Sequence, residues 1–423
     1  SCTTLGKTRG MTMIRFEIKK IFSKISSRIA LIVLAVLLAV ICFNTLRSPD
    51  LWYVDQEGET HKGITAARQL KELKEGEAGM LTEERLAEVI GERNDITSSP
   101  EYNSSDITQQ DIAFARGQGI SDIRDLLTVS FCGFGEYDYY RADSLEPADA
   151  EKFYENRTDS LEEWLDEGTG AALYSDGEKE YLKSSYDEFD TPVYYEYASG
   201  WKMAIESSPM LLVLMAFVLI FLVSGIFPSE YSLKADSVFF AARYGRGKAV
   251  RSKIWAGLLV ITVIYAAVVA VYTGVILGCL GAGGGNCAIQ SQWGLWKSMY
   301  NITFAQAYAL IVACGYIGSV FIAMFTMFVS VMSRSAVVSV VIPFVTLFLP
   351  LYLPDTVPAV IGKILGLFPD KMLQIYTVID EFSIYSVLGH MTGSAYLLPF
   401  LYVILVIVLL PVVYMKYRKT ALR

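Results

Sequence analysis

Six apolar runs, none of them holding an Asp, Glu, Lys or Arg, constrain this 423-residue chain more than any other feature. A hydrocarbon core of about 30 Å is crossed by about 20 helical residues, each rising ~1.5 Å. Runs of that length are Ile29–Leu46, Pro209–Phe227, Ile254–Leu280, Phe304–Met332, Ala336–Leu353 and Tyr396–Met415. In lipid the backbone must satisfy its own hydrogen bonds, so each run reads as a helix. Ala336–Leu353, broken by Pro343 and Pro350, is the weakest of the six. The rest of the charge lies in blocks, which excludes a single water-soluble globule.

Orientation follows from the short flanks, because Lys and Arg resist translocation and collect on the cytoplasmic side. Lys7, Arg9, Arg15, Lys19, Lys20, Lys24 and Arg28 precede the first run; Lys234, Arg243, Arg246, Lys248, Arg251 and Lys253 separate the second from the third. Arg334 follows the fourth, and Lys416, Arg418, Lys419 and Arg423 close the chain. Six spans put every one of these clusters on one side, whereas an odd number would not. The expected fold is therefore an all-α polytopic membrane protein with both termini cytoplasmic and a mainly helical extracellular domain between the first two of six transmembrane helices. In order, the segments are a cytoplasmic 1–28, span 29–46, outer domain 47–208, span 209–227, inner segment 228–253, span 254–280, outer loop 281–303, span 304–332, inner turn 333–335, span 336–353, outer loop 354–395, span 396–415 and tail 416–423. Residues before Met11 show no periodicity and read as an over-extended start. No small-residue cleavage site follows Asn44, Thr45 and Leu46, so the first span reads as a retained anchor.

The insert Arg47–Ser208 carries 15 basic and 37 acidic residues, a net charge of −22 against −8 for the whole chain. Such a field disfavours anionic ligands, although a solvated surface kept soluble by like charge is the simpler reading. Ile64, Ala67, Leu70 and Leu73 predict one helix over 63–74, and Leu86, Val89 and Ile90 behind Thr82 predict another. A third is expected from Pro147, with Ser160 and Glu163 as a capping box ahead of Trp164. Strand is expected, if anywhere, near Thr128–Cys132 and Thr191–Tyr197. Rings such as Phe153, Trp164, Tyr186 and Trp201 fill a small core or anchor it at an interface; a ligand-binding face is the alternative.

Several chemistries lack their parts. The six cysteines have no metal-ligand spacing, and Cys279 and Cys287 are left open as either a disulfide or two free thiols. Only His61 and His390 are present, too few for a zinc-protease helix or a catalytic triad. The stretch GAGGGN at 281–286 follows no soluble strand, and Gly247-Lys248 has no glycine at Ala242, so no phosphate-cradling loop is expected. The apolar runs hold no ion-pairing group, which weakens a proton- or sodium-driven transporter. No nucleic-acid partner and no enzymatic activity are expected.

What is left is the basic hinge SEYSLKADSVFFAARYGRGKAVRSK between the second and third runs. Leu233, Val238, Phe239 and Ala242 form an apolar stripe at helical spacing that can seat in a partner's cleft, beside Arg243, Arg246, Lys248 and Arg251. The opening MIRFEIKKIF places Phe16, Ile18, Ile21 and Phe22 on one helical face and Glu17, Lys19 and Lys20 on another, the face expected to meet water.

Over Met13–Arg423 the chain resembles the permease subunit of the type-2 ABC exporter family. MIRFEIKKIF, with Phe16, Glu17 and Lys20, is similar to that family's membrane-surface elbow helix. Glu230, Arg243, Tyr244, Gly245, Arg246 and Lys253 are similar to its glutamate, coupling helix, basic turn and lysine. The amphipathic runs of Val357–Met391 resemble its short outer helices that fold back into the membrane surface, an ordinary interfacial loop being the alternative. The large insert departs from the simplest members and leaves the substrate, whether peptide, lipid or drug-like, unspecified. The resemblance implies separate ABC ATPase subunits that bind ATP and Mg, no cofactor in this chain, a second permease copy, contact with membrane lipids and residence in a bacterial plasma membrane. A membrane receptor with a ligand-binding outer domain is the rival reading.

Overall fold

The computed structural model describes residues 2–232, 247–353 and 359–420. It is mainly helical, and among the described residues five helices are long and apolar enough to cross a membrane. They are α2 (Ile25–Thr45), α9 (Ser199–Ser224), α11 (Lys248–Leu280), α12 (Phe304–Ser333) and α17 (Ser394–Thr420). The chain is thus a multi-pass membrane protein by the length and composition of its helices. Apolar side chains such as Ile32, Val36, Phe221, Leu259 and Ile407 face outward, where only an apolar medium or another helix offsets their exposure.

Helix α12 is the hub, with α9, α11, α13 (Ala336–Phe348) and α17 packed round it. It starts where Thr303 and Gln306 cap each other and stops where Arg334 turns left-handed at φ 53°. Helix α13 answers to the fifth expected run. It is 13 residues long, about 20 Å at ~1.5 Å per residue, and breaks into a 3-10 turn over Leu349–Tyr352 where Pro350 withholds a donor. Helix α1 (Cys2–Ser23) is continuous from Cys2, so the first residues extend the amphipathic helix instead of standing apart from it. It packs on α11 and α2.

At one end of this bundle sits the insert. Its helices are α3 (Ile64–Glu75), α4 (Glu83–Thr97), α5 (Ile107–Gly117), α6 (Ser121–Ser130), α7 (Phe153–Asp166) and α8 (Asp176–Asp187). Thr82 caps α4 by accepting the Arg85 N–H. Two expectations fail. Thr128–Cys132 is the end of α6 and a bend rather than strand, since Leu126, Leu127 and Val129 are all buried and a helix alone can turn them into one core. Ser160 lies inside α7, which already begins behind the Pro147–Lys152 turn, and its hydroxyl donates back to the Arg157 carbonyl instead of capping. Tyr194–Tyr195 does form a strand, pairing antiparallel with Gly79–Met80 and tying the insert's beginning to its end.

The insert's core is completed from elsewhere in the chain. Trp296, from the connection between α11 and α12, is fully buried against Phe153, with ring centroids 4.6 Å apart. Arg157 holds that connection by donating to the carbonyls of Trp296 and Ser298, both at 3.0 Å, under the faces of Tyr186 and Phe189. A side chain on Gly200 would collide with the Gly281 carbonyl, so glycine there lets the start of α9 touch the end of α11. Cys279 and Cys287 are both free thiols.

Candidate functional site

At the end of the bundle opposite the insert, α9 stops at Gly225 and the chain turns through Ile226 and Phe227 into the short α10 (Pro228–Ser232). Pro228 suits a first helical position because its missing N–H would go unpaired there anyway. Glu230 is brought beneath the first turns of α11, where Lys253 waits on the face turned toward α1. Lys253 is fully buried, and its ammonium donates to Glu230 Oε1 at 2.7 Å, Glu17 Oε2 at 3.2 Å and the Ile226 carbonyl at 3.2 Å. These three acceptors match the three N–H donors of a lysine. Lys20 donates to the same Glu230 oxygen at 2.7 Å.

Four residues singled out from the sequence, Glu17, Lys20, Glu230 and Lys253, therefore meet in one network. Glu17 and Lys20 do not face water as the helical wheel of α1 suggests. A buried ammonium needs carboxylate near it, and that requirement turns this face of α1 inward, leaving Phe16 65% exposed on the other side. Arg243, Tyr244, Gly245 and Arg246 lie in 233–246, outside the described residues. The two stems of that segment are locked together at its base by the Glu230–Lys253 pair.

Lys24, just before α2, borders the same network, its Nζ lying over Gly225. Burial pushes its ammonium pKa down, and the like charges of Lys20 and Lys253 push it further. Nearby, Arg251 lies over the Tyr414 ring and Arg334 over Tyr231, while the rings of Phe227 and Tyr417 pack tilted with centroids 4.6 Å apart. The heads or tails of α1, α9, α11, α12 and α17 are all engaged at this end. The network ties three segments distant in sequence, α1, α10 and the first turns of α11, to one another.

One buried acid was not read from the sequence. Asp370 sits in α15 (Pro369–Leu373), which folds into the bundle against α9, α12, α13 and α17; a Cβ on Gly318, midway along α12, would lie 2.9 Å from Met372. Asp370 is 4% exposed, and its Oδ1 has no hydrogen-bond partner among the described residues. The signal available was Pro369 between two amphipathic runs, which marks a turn but not its depth. The clustered Asp55, Glu59 and His61 lie on an exposed hairpin, where Asp55 already accepts the Glu57 and Glu59 N–H groups and pairs with His61 at 2.6 Å. That arrangement stabilises a turn.

No family model, curated protein or solved structure matches this chain.

Proposed function

We propose that this chain is the permease subunit of an ATP-driven transporter of the type-2 ABC exporter kind, working in a bacterial plasma membrane with the insert outside and the Lys253 end cytoplasmic. The observation that carries the reading is the network of Lys253, Glu230, Glu17 and Lys20. A partner ATPase that closes on ATP and Mg would press on residues 233–246. The buried pair at the base of that segment would pass the displacement to α9 and α11 together, and through Glu17 and Lys20 to α1. A loop held only by exposed charges would dissipate the same push, because such pairs exchange with water at little cost.

Further support comes from charge. The flanks bearing Lys20, Lys24, Arg251, Arg334 and Arg418 all lie at the end opposite the acidic insert, as the positive-inside pattern requires of a cytoplasmic face. In this reading α13 with its 3-10 extension is the fifth of six spans. A second permease copy covers part of the outward apolar surface, since so few helices do not enclose a pathway by themselves.

Three measurements test the proposal. Purification of the tagged chain from its own membranes should bring down an ATPase carrying GxxxxGK[ST], and Glu230→Gln in that complex should lower substrate-stimulated ATP turnover at least tenfold. An impermeant maleimide should leave a cysteine placed at Arg246 unlabelled in intact cells and label it after permeabilisation. Labelling from outside would sink the proposal.

A further inference from the structure

A second charged region lies at the other end of the bundle, where the insert meets the heads of the long helices. A cleft of about 280 Å³ opens there between α3, α5, α6, the turn after α2, the head of α9 and the connection that carries Trp293. Its volume admits a small molecule and excludes a folded partner.

Each charged side chain that lines it stands beside an opposite one. Lys74 is 6% exposed and bound to Asp122 at 2.5 Å, and Asp122 also accepts the Tyr195 hydroxyl at 2.9 Å. That pair is fixed wall. Arg93 donates to Asp143 through Nε and Nη2, at 2.7 and 3.0 Å, and Arg124 pairs with Asp125 at 2.9 Å. Lys202 reaches Asp50 at 3.2 Å in a wet pair, and Glu206 and Asp122 also lie about it. A charged ligand therefore has to compete with ion pairs already made while losing its own water.

An apolar ligand fits no better. Gln118 is 3% exposed, its amide oxygen accepts the Val54 N–H at 3.1 Å, and its NH2 group has no protein acceptor among the described residues. Arg93 likewise keeps Nη1. Hydrocarbon laid over these donors would strip their water and return no hydrogen bond. A hydroxyl satisfies them, and because it both donates and accepts it also bridges the nitrogen and oxygen of an ion pair without parting them. The rings of Trp52, Phe114, Tyr139 and Trp293 share the wall. Arg124 covers one face of Tyr139 and Lys62 one face of Trp52, whereas Phe114 and Trp293 stand 47% and 41% exposed. The negative face of such a ring attracts the positive hydrogens of C–H bonds. Hydroxyls round the edge and C–H bonds on the face are what a pyranose presents.

We propose that this cleft binds a neutral saccharide of one or two pyranose rings, with Gln118 and Arg93 donating to its oxygens and Phe114 and Trp293 against its C–H faces. Phe114 and Gln118 lie one turn apart at the end of α5, and Arg93 Nη1 comes within 3.9 Å of where a Cβ on Gly117 would be, so both donors and one ring are neighbours. The inference goes beyond the transport reading and does not depend on it, since binding to this chain needs no ATPase.

The experiment uses the full chain in nanodiscs, with calorimetry and tryptophan fluorescence as readouts. The probes are cellobiose, maltose, lactose and N,N′-diacetylchitobiose. At least one is expected to saturate with a Kd below about 5 mM. Its uronic-acid and amino-sugar relatives are each expected to bind about tenfold more weakly. Trp293→Ala and Gln118→Glu should each weaken the neutral sugar about fivefold or more. Trp293 is exposed and Gln118→Glu keeps an oxygen for the Val54 N–H, and thermal unfolding of each variant checks the fold. Saturation by none of the sugars up to about 50 mM overturns the proposal. So does a charged relative that binds as tightly as the neutral sugar, or binding that neither variant weakens.

Discussion

Both ends of the helix bundle use lysine and carboxylate to join segments far apart in sequence, and they do so under opposite conditions. Lys253 is fully buried and spends every N–H on a protein acceptor. Lys202 stands at the mouth of a cleft opposite a half-exposed Asp50. Removing one partner of a buried pair strands the other charge in a poor solvent, whereas a wet pair can be replaced by water or ligand with little loss. Burial, more than the identity of the residues, makes the first a clamp and the second a replaceable contact.

The contrast breaks most sharply at Lys253. Lys253→Met leaves Glu17 and Glu230 without their main counter-ion and should cost about 3–5 kcal/mol, read as a large fall in the unfolding temperature of the purified protein. Adding Glu230→Gln should recover part of that loss, because fewer buried charges then go unpaired. A single variant as stable as the wild type would show that water reaches the network and that the clamp does not exist.

Next in size is Arg157, a cation buried in the insert with carbonyls and rings about it and, among the described residues, no carboxylate within ion-pairing distance. Arg157→Met should loosen the 281–303 connection at a cost of about 1.5–3 kcal/mol for charge-assisted bonds, seen as new protease cleavage near Trp296. Arg157→Lys should rescue little, since an ammonium cannot span both carbonyls in one plane.

Asp370 sharpens the comparison in the other direction, as a buried carboxyl whose Oδ1 has no hydrogen-bond partner among the described residues. Asp370→Asn keeps the shape and removes the charge, and should leave stability unchanged or raise it by about 1 kcal/mol. A large destabilisation would mean that the carboxylate has a partner in the assembled protein, which cross-linking could then find.

The smallest effects belong to the cleft. Lys202→Gln should change stability by less than about 1 kcal/mol. The fixed wall behind it titrates: burial raises the Asp122 carboxyl, but Lys74, Lys202 and the Tyr195 hydroxyl outweigh this and hold its pKa below the ordinary range. A carboxyl lowered in the folded state stabilises at pH above its unfolded value, about 3.9, and that contribution is lost as pH falls through the folded value. Acid unfolding of Asp122→Asn should therefore flatten below about pH 4 relative to wild type.

Much of this was legible in the chain. The long apolar runs gave four of the five long helices to within a turn or two, and α9 only begins earlier, because Ser199–Ser208 winds as helix before the lipid-length stretch. Glu230 and Lys253 stood out as charges at span boundaries, and Glu17 and Lys20 as polar members of an amphipathic helix. Their meeting was not legible, since a helical wheel assigns polar residues to water by default and the pairs lie 210 and 236 residues apart. Trp296 was hidden for a related reason: it sits in a glycine-rich connection whose composition reads as loop, yet it completes the core of a domain whose Phe153 and Phe189 lie 143 and 107 residues upstream.

Local periodicity and uninterrupted hydrophobicity thus determined which segments are helices, which can enter a membrane, and where charge must collect. These properties depend on neighbours a few residues apart, and the sequence records them directly. Tertiary structure alone decided that α1 turns Glu17 and Lys20 inward, that Asp370 is carried into the bundle and that the Lys202–Asp50 pair stays wet. Each depends on how much water remains around a charge once distant segments have closed on it, and solvent exclusion is a property of the packed whole.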